Sequence, residues 1–142
     1  MVTLRVEGLP QGALEAGAVF HAEWLPQVRT LLDPPLLGEV AARSADGGGI
    51  ATEQAPSASL RSAPPPKGED LVLIFPPADH THRTWRLAVV QALAREHAPA
   101  RVNALAGGNT ATVAAALAYL ASADGVTGQC IALADLGAGP VV

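Results

Sequence analysis

The sequence has very few of several residue types that particular functions require. Its 142 residues include one cysteine, Cys130, one lysine, Lys67, and one tyrosine, Tyr119. A single cysteine excludes an intrachain disulfide and favours a reducing compartment, so we expect a cytoplasmic protein. Because Lys67 and Tyr119 are far apart in the sequence, chemistry that needs a tyrosine and a lysine in one local motif is excluded.

Charge is also scarce. Charged residues make up 15% of the chain and the net charge is −4, whereas about 25% is usual for a globular domain. The acidic balance argues against a nucleic-acid partner. No apolar run reaches the ~18 residues of a membrane span, and the N-terminus lacks the pattern of a signal peptide. The low charge predicts that part of the surface is covered by another chain.

The length fits a single domain over residues 1–142. Between residues 43 and 69 the composition shifts to glycine, proline and serine, with Ile50 and Leu60 as the only large apolar residues. Such a stretch buries too little apolar surface to order itself firmly. We therefore predict a flexible loop at 43–69.

The remaining segments alternate between strand and helix patterns. The apolar run Leu71–Phe75 is typical of a strand that is covered on both faces. The predicted order is a strand at 2–7, a helix at 13–32 with a kink or restart at Pro26, a strand at 71–75, a helix ending near 97, a strand at 101–106, a helix from 110 or 112 to 122, and a strand at 128–134. This alternation predicts an α/β fold with a parallel sheet and helices on both faces.

The helix that ends near residue 97 has two apolar faces on a helical wheel. Trp85, Val89 and Leu93 lie on one face with Ala88 and Ala92, while Leu87, Val90 and Ala94 lie on another. A helix on a sheet needs only one apolar stripe, so the second stripe predicts an oligomer interface. The alternative is that loop 43–69 covers it. The predicted interface residues are Trp24, Trp85, Leu87, Val90, Ala94 and Leu117.

Four motifs in the second half occur in a recognisable order: A-L-A-R-E-H-A-P at 92–99, R-V-N-A-L-A-G-G at 101–108, Y-L-A-S at 119–122 and V-T-G-Q at 126–129. Over about residues 79–137 the chain resembles the C-terminal part of the short-chain dehydrogenase/reductase family. The resemblance implies a Rossmann-like, three-layer parallel sheet of about four to five strands. It also implies dimer and tetramer contacts through two central helices and the last strand.

The chain departs from this family at the positions that carry its chemistry. The family has a tyrosine followed four residues later by a lysine, and these positions fall on Asp79 and Arg83. The glycine-rich turn that binds the dinucleotide has no counterpart, because Gly47–Gly49 lack the flanking strand and helix that such a motif needs. We therefore predict no catalytic residues and no cofactor, with NAD(P) bound only if a partner chain completes the site.

Other candidate chemistry is weaker. His80 and His82 flank Thr81 beside Asp79, which could hold a metal, but a capped helix start explains the same pattern and we predict no metal site. Cys130 is interpreted as a buried small hydrophobe.

Three functions remain open. The first is a non-catalytic assembly or regulatory subunit that pairs with itself or with a full-length short-chain dehydrogenase. The second is an NAD(P)-dependent oxidoreductase component whose cofactor site another chain completes. The third is a small-ligand module that uses the turns at 77–82 and 107–112.

Overall fold

The computed structural model describes residues 1–33 and 69–134. Its elements are β1 (Val2–Arg5), α1 (Ala13–Val19), a π-helical segment (Phe20–Trp24), α2 (Leu25–Leu32), β2 (Leu71–Phe75), a 3₁₀ turn (His80–His82), α3 (Arg83–Glu96), β3 (Val102–Gly107), α4 (Thr110–Ser122) and β4 (Cys130–Leu133). The predicted loop at 43–69 lies outside the described residues except for Glu69.

Within the described residues the four strands form one parallel sheet in the order β1-β2-β3-β4. Every residue of β2 is buried, as its continuous apolar run predicts for a strand covered on both faces. The predicted α/β class, the parallel sheet and the helices on both faces are confirmed.

Two separate cores lie on the two faces of the sheet. One contains Leu71, Leu73 and Phe75 of β2 together with the buried apolar residues of the π-helical segment, α2 and α3. The other contains Val72 and Ile74 with the buried residues of α4. Helices α3 and α4 therefore lie on opposite faces of the sheet. The connections from β2 to β3 and from β3 to β4 nevertheless run in the same direction across the sheet, each to the next strand. The crossovers β2-α3-β3 and β3-α4-β4 must then differ in hand, which is rare for parallel strands.

The predicted interruption of helix 13–32 takes the form of a π-helical segment at Phe20–Trp24. Pro26 lies at the start of α2. Because proline has no backbone N–H, it cannot donate to a carbonyl of the preceding turn, and a wider turn accommodates this loss. The interrupted helix still buries Phe20 and Val28 completely against the sheet.

The helical-wheel assignment of α3 is wrong at three positions. Val90 of the supposed outer face is fully buried, Arg86 is 3% exposed, and Ala88 of the supposed inner face is exposed. The second apolar stripe has a partner within the chain, since a Cβ built on Gly128 would lie 3.7 Å from the Ala94 Cβ. The turn that leads into β4 therefore covers part of the stripe.

Two of the sequence motifs contact each other: R-V-N-A at the start of β3 and V-T-G-Q just before β4. Asn103 is 2% exposed; its side chain donates to the Val126 carbonyl at 2.9 Å and accepts from the Gln129 backbone N–H at 3.1 Å. The Thr127 hydroxyl accepts from the Val102 backbone N–H. These contacts join R-V-N-A to V-T-G-Q, so the spacing of the two motifs serves the architecture of the sheet.

Candidate functional site

The turns at the carboxyl ends of the strands enclose two cavities. The larger, of about 340 Å³, is lined by Leu9–Gln11 after β1, by Pro76–Asp79 after β2, and by His82 and Arg86. The smaller, of about 150 Å³, lies between the ends of β1, β2 and β3 and includes Gly107 and Gly108. Ligands of open α/β sheets bind at this edge, so these cavities are the candidate sites.

Asp79 caps the helical segment that follows β2. Its Oδ1 accepts hydrogen bonds from the Thr81 hydroxyl and from the Thr81 backbone N–H, the latter at 2.9 Å. These two hydrogen bonds lower the pKa of the Asp79 carboxyl below its usual value. Asp79 is therefore an ionised cap at neutral pH and cannot donate the proton that a tyrosine supplies at this position in the family.

His82 is a buried structural residue of the same turn. Its Nε2 lies 2.8 Å from the Gln11 carbonyl oxygen, to which it donates, and its Nδ1 accepts from the Trp85 indole N–H at 3.3 Å. Both ring nitrogens are thus engaged, which leaves His80 as the only free imidazole of the pair. In residues 1–33 and 69–134 no three metal-ligating side chains come together.

Arg86 is a nearly buried cation in the wall of the larger cavity. Its Nη1 donates to the Pro76 carbonyl at 3.0 Å, and its Cζ lies 4.8 Å from the centre of the Phe75 ring. The buried Nε has no hydrogen-bond partner in the described part of the chain. Burial lowers the pKa of the guanidinium from its usual value, although an arginine remains charged at neutral pH.

Sequence reasoning did not single out Arg86 as a site residue. On the helical wheel it lies between the two apolar faces of α3, which is the usual place for a solvated arginine. The signal that could have found it is its position one turn after the 3₁₀ segment, close to the carboxyl ends of the strands. Burial itself cannot be read from the wheel.

Two glycines form part of the wall of the smaller cavity. Gly107 and Gly108 both have positive φ values, and a Cβ on Gly108 would lie 2.7–2.8 Å from Thr112 and Leu133 atoms. The glycines are therefore explained by the tight turn between β3 and α4. A volume of about 150 Å³ is below the ~300 Å³ of small-ligand pockets.

The predicted interface residues do not form one surface. Trp24, Trp85 and Ala94 pack against the core under α1–α3, whereas Leu117 packs against the core under α4 on the other face. The Trp85 ring also packs against those of Phe20 and Phe75, with centroid distances of 5.7 and 5.6 Å. Leu87 is half-buried on α3 and Val90 is fully enclosed. Whether the other five contact a partner stays a prediction.

Cys130 is half-buried in β4. Desolvation by burial raises the pKa of its thiol. Because the thiolate is the reactive form of cysteine, this environment disfavours a nucleophilic role.

The sheet, the crossovers and the position of the cavities define a Rossmann-like α/β protein. Residues 41–133 match the family described as short chain dehydrogenase-like protein, which covers more than half of the chain, so the chain belongs to this SDR-like family. No curated protein and no solved structure matches it. The match includes the four motifs at 92–129 and also extends to segments before residue 79.

No helix in the described ranges combines the length and the apolar character needed to cross a lipid bilayer.

Proposed function

We propose that this chain is a non-catalytic member of the family that acts as an assembly or regulatory subunit by associating with a second copy of itself. Pairing with a full-length short-chain dehydrogenase is the hetero-oligomeric form of the same role. The single observation that carries the proposal is the exposed face of α4, which has no charge.

Helix α4 has no charged residue along its whole length. Its exposed side chains are all small or uncharged: Thr110, Ala111, Ala114, Ala115, Ala118, Tyr119, Ala121 and Ser122. Tyr119 is 56% exposed. Alanine side chains allow two helices to approach closely, and an uncharged face meets its own copy across a two-fold axis without charge repulsion. The predicted interface residue Leu117 is half-buried on the same helix.

The strand next to α4 supports the same surface. Within the described ranges β4 has a neighbour on one side only, and its sequence is Cys-Ile-Ala-Leu. An apolar edge strand tends to pair with another chain unless charges or covering segments protect it. The exposed face of helix α4 and the open edge of strand β4 are therefore two uncharged surfaces available for association.

The non-catalytic part of the proposal is supported by the residues at the family's reactive positions. Asp79 is an ionised cap, and Arg83 is exposed at the start of α3. The only tyrosine lies on the exposed face of α4, and the only lysine, Lys67, lies outside the described residues. A fixed cation at Arg83 cannot replace a missing phenol as a proton donor.

Sedimentation velocity over a range of concentrations tests the association. We expect the wild-type chain to sediment as a dimer or larger species and Ala115→Glu, which places a charge on the exposed face of α4, to sediment as a monomer. Ala88→Glu is the matched control because Ala88 is equally a solvent-exposed helical alanine, on α3. A wild-type monomer that also fails to bind a short-chain dehydrogenase, or dissociation by Ala88→Glu alone, would contradict the proposal.

The alternative function, an NAD(P)-dependent component completed by another chain, has one observation in its favour. The smaller cavity opens at the carboxyl edge beside Gly107 and Gly108, and its wall includes Arg5 and Glu7. Titration of NADH and NADPH into the isolated chain, followed by nucleotide fluorescence, distinguishes the two functions. We expect no saturable change; saturable binding would favour the alternative.

A further inference from the structure

The larger cavity contains a combination of features that the association role does not use. It lies at the start of α3, on the face of the sheet opposite to α4. Its wall includes a guanidinium that is 3% exposed and a carboxylate, Asp79, that is exposed. A buried cation is costly unless something pairs with it.

The charge of Arg86 has no carboxylate partner in the described part of the chain. The ion pairs found there involve Arg29, His97 and Arg101 instead. Arg86 makes one hydrogen bond, to the Pro76 carbonyl, and its guanidinium carbon lies over the rings of Phe75 and Trp85. The Nε has no acceptor in the described residues and is shielded from solvent, so a ligand in the cavity meets the guanidinium at its Nη groups.

We propose that the cavity beside Arg86 binds a small monocarboxylate whose two oxygens pair with the guanidinium. Arginine presents a planar fork of donors that matches a carboxylate in two parallel hydrogen bonds. The proline and leucine side chains of the wall, at Leu9, Pro10, Pro76 and Pro77, suit a short apolar body on that ligand. A volume of about 340 Å³ falls at the small end of ligand pockets.

The position of Asp79 favours a monocarboxylate over inorganic phosphate. Its ionised carboxylate also lines the cavity. It would repel a dianion in the cavity more strongly than it would repel a single negative charge held at Arg86. The site is separate from the α4 surface and the inference does not depend on the association role.

Nuclear magnetic resonance of the full chain tests the inference directly, because the buried Arg86 Nε–H belongs to the guanidinium that the ligand would contact, and its signal responds to that contact. Sodium butyrate is the probe, with butyramide as a neutral analogue of the same shape, sodium chloride for ionic strength, and inorganic phosphate as the competing anion. We expect a saturable shift of the Arg86 Nε–H signal with butyrate, with a Kd of about 1–10 mM for so small a ligand. Neither butyramide nor sodium chloride should reproduce it.

Two variants localise the binding. Arg86→Lys keeps the charge but loses the planar fork, and should weaken butyrate binding at least about tenfold. Its binding is followed through the backbone N–H of Ala78, which lines the same cavity. Arg83→Met is the matched control, because Arg83 lies one turn earlier on α3 and is exposed; its affinity should equal that of the wild type.

An absent or unsaturable wild-type response, an equal response to butyramide, tighter binding of phosphate, or an equal loss in Arg83→Met would each overturn the inference. Should Arg86→Lys fail to fold, the wild-type titration and the Arg83→Met control decide.

Discussion

Arg101 Nη2 lies 2.7 Å from Asp70 Oδ2 at the amino-terminal edge of the sheet, opposite to the candidate sites. Arg101 Nη1 also donates to the carbonyls of Leu120 and Ala123 at 3.1 and 2.6 Å. One side chain therefore joins the start of β2, the start of β3 and the end of α4. The arginine of the R-V-N-A motif thus joins the sheet to the α4 layer.

We predict that Asp70→Asn lowers the free energy of unfolding by about 1–2 kcal/mol at pH 7, since a charged hydrogen bond is lost but the Asp70 side chain is 30% exposed. Partial burial raises the pKa of the Asp70 carboxyl, but the hydrogen bonds and charge of Arg101 outweigh it, and the net shift is downward. The stabilisation by the Asp70–Arg101 pair is therefore complete at pH values above the usual carboxyl pKa of 3.8. It is lost as the pH falls through the lower pKa of Asp70 in the folded state.

Urea unfolding from pH 7 down to pH 2 measures this effect. The difference between wild type and Asp70→Asn should shrink as the pH falls. Glu69→Gln, at an exposed neighbouring carboxylate, should match wild type throughout. A pH-independent difference would show that charge does not contribute.

The second prediction concerns the contact between the two motifs. Asn103→Leu leaves the Val126 carbonyl and the Gln129 N–H without their partner and should cost about 2–4 kcal/mol, because each buried orphan group costs about 1–3 kcal/mol. Gln129→Ala is the control: Asn103 contacts only the backbone of Gln129, whose side chain is exposed, so the change should stay within about 0.5 kcal/mol. Equal losses in the two variants, measured by urea unfolding, would contradict the role given to Asn103.

Much of the fold could be predicted because its signals are local. The run Leu71–Phe75 and the periodic helices predict the elements, and the motifs at 92–129 predict the family. The four observed strands match the predicted ones within a few residues at each end. Asp79, beside the predicted capped helix start, does cap the segment that leads into α3.

Tertiary partners could not be predicted from the same signals. A helical wheel shows which α3 residues share a face. It does not show that the turn at Gly128 packs against Ala94 or that the Arg86 side chain is buried. Sequence order likewise does not reveal that α3 and α4 lie on opposite faces, because the usual right-handed rule would place them on the same one. The candidate site depends on these long-range contacts, and was therefore only partly anticipated.

The third prediction tests the turn between β3 and α4. Gly108→Ala should cost about 2–4 kcal/mol, because the residue has a φ of 86° and the new Cβ would lie 2.8 Å from the Leu133 Cβ. Gly8→Ala is the matched control, with a φ of 70° and no atom within 4 Å of the new Cβ. It should lose only the cost of placing an alanine in the left-handed backbone conformation, about 1–2 kcal/mol. If thermal unfolding shows equal losses, the close approach to Leu133 does not matter.

The fourth prediction compares two arginines with little exposed surface. Arg101→Met should cost about 2–4 kcal/mol, because it leaves Asp70 and two carbonyls without their partner. Arg86→Met removes one hydrogen bond and a cation–π contact, but it also removes a desolvated charge and an unpaired Nε, and these terms oppose each other. We therefore expect Arg86→Met to change the free energy of unfolding by less than about 1 kcal/mol, measured by urea unfolding at pH 7. A loss of 2 kcal/mol or more would mean that Arg86 serves the stability of the fold, as Arg101 does; a near-neutral result means that stability does not explain this buried cation, which is what a ligand-binding role for Arg86 requires.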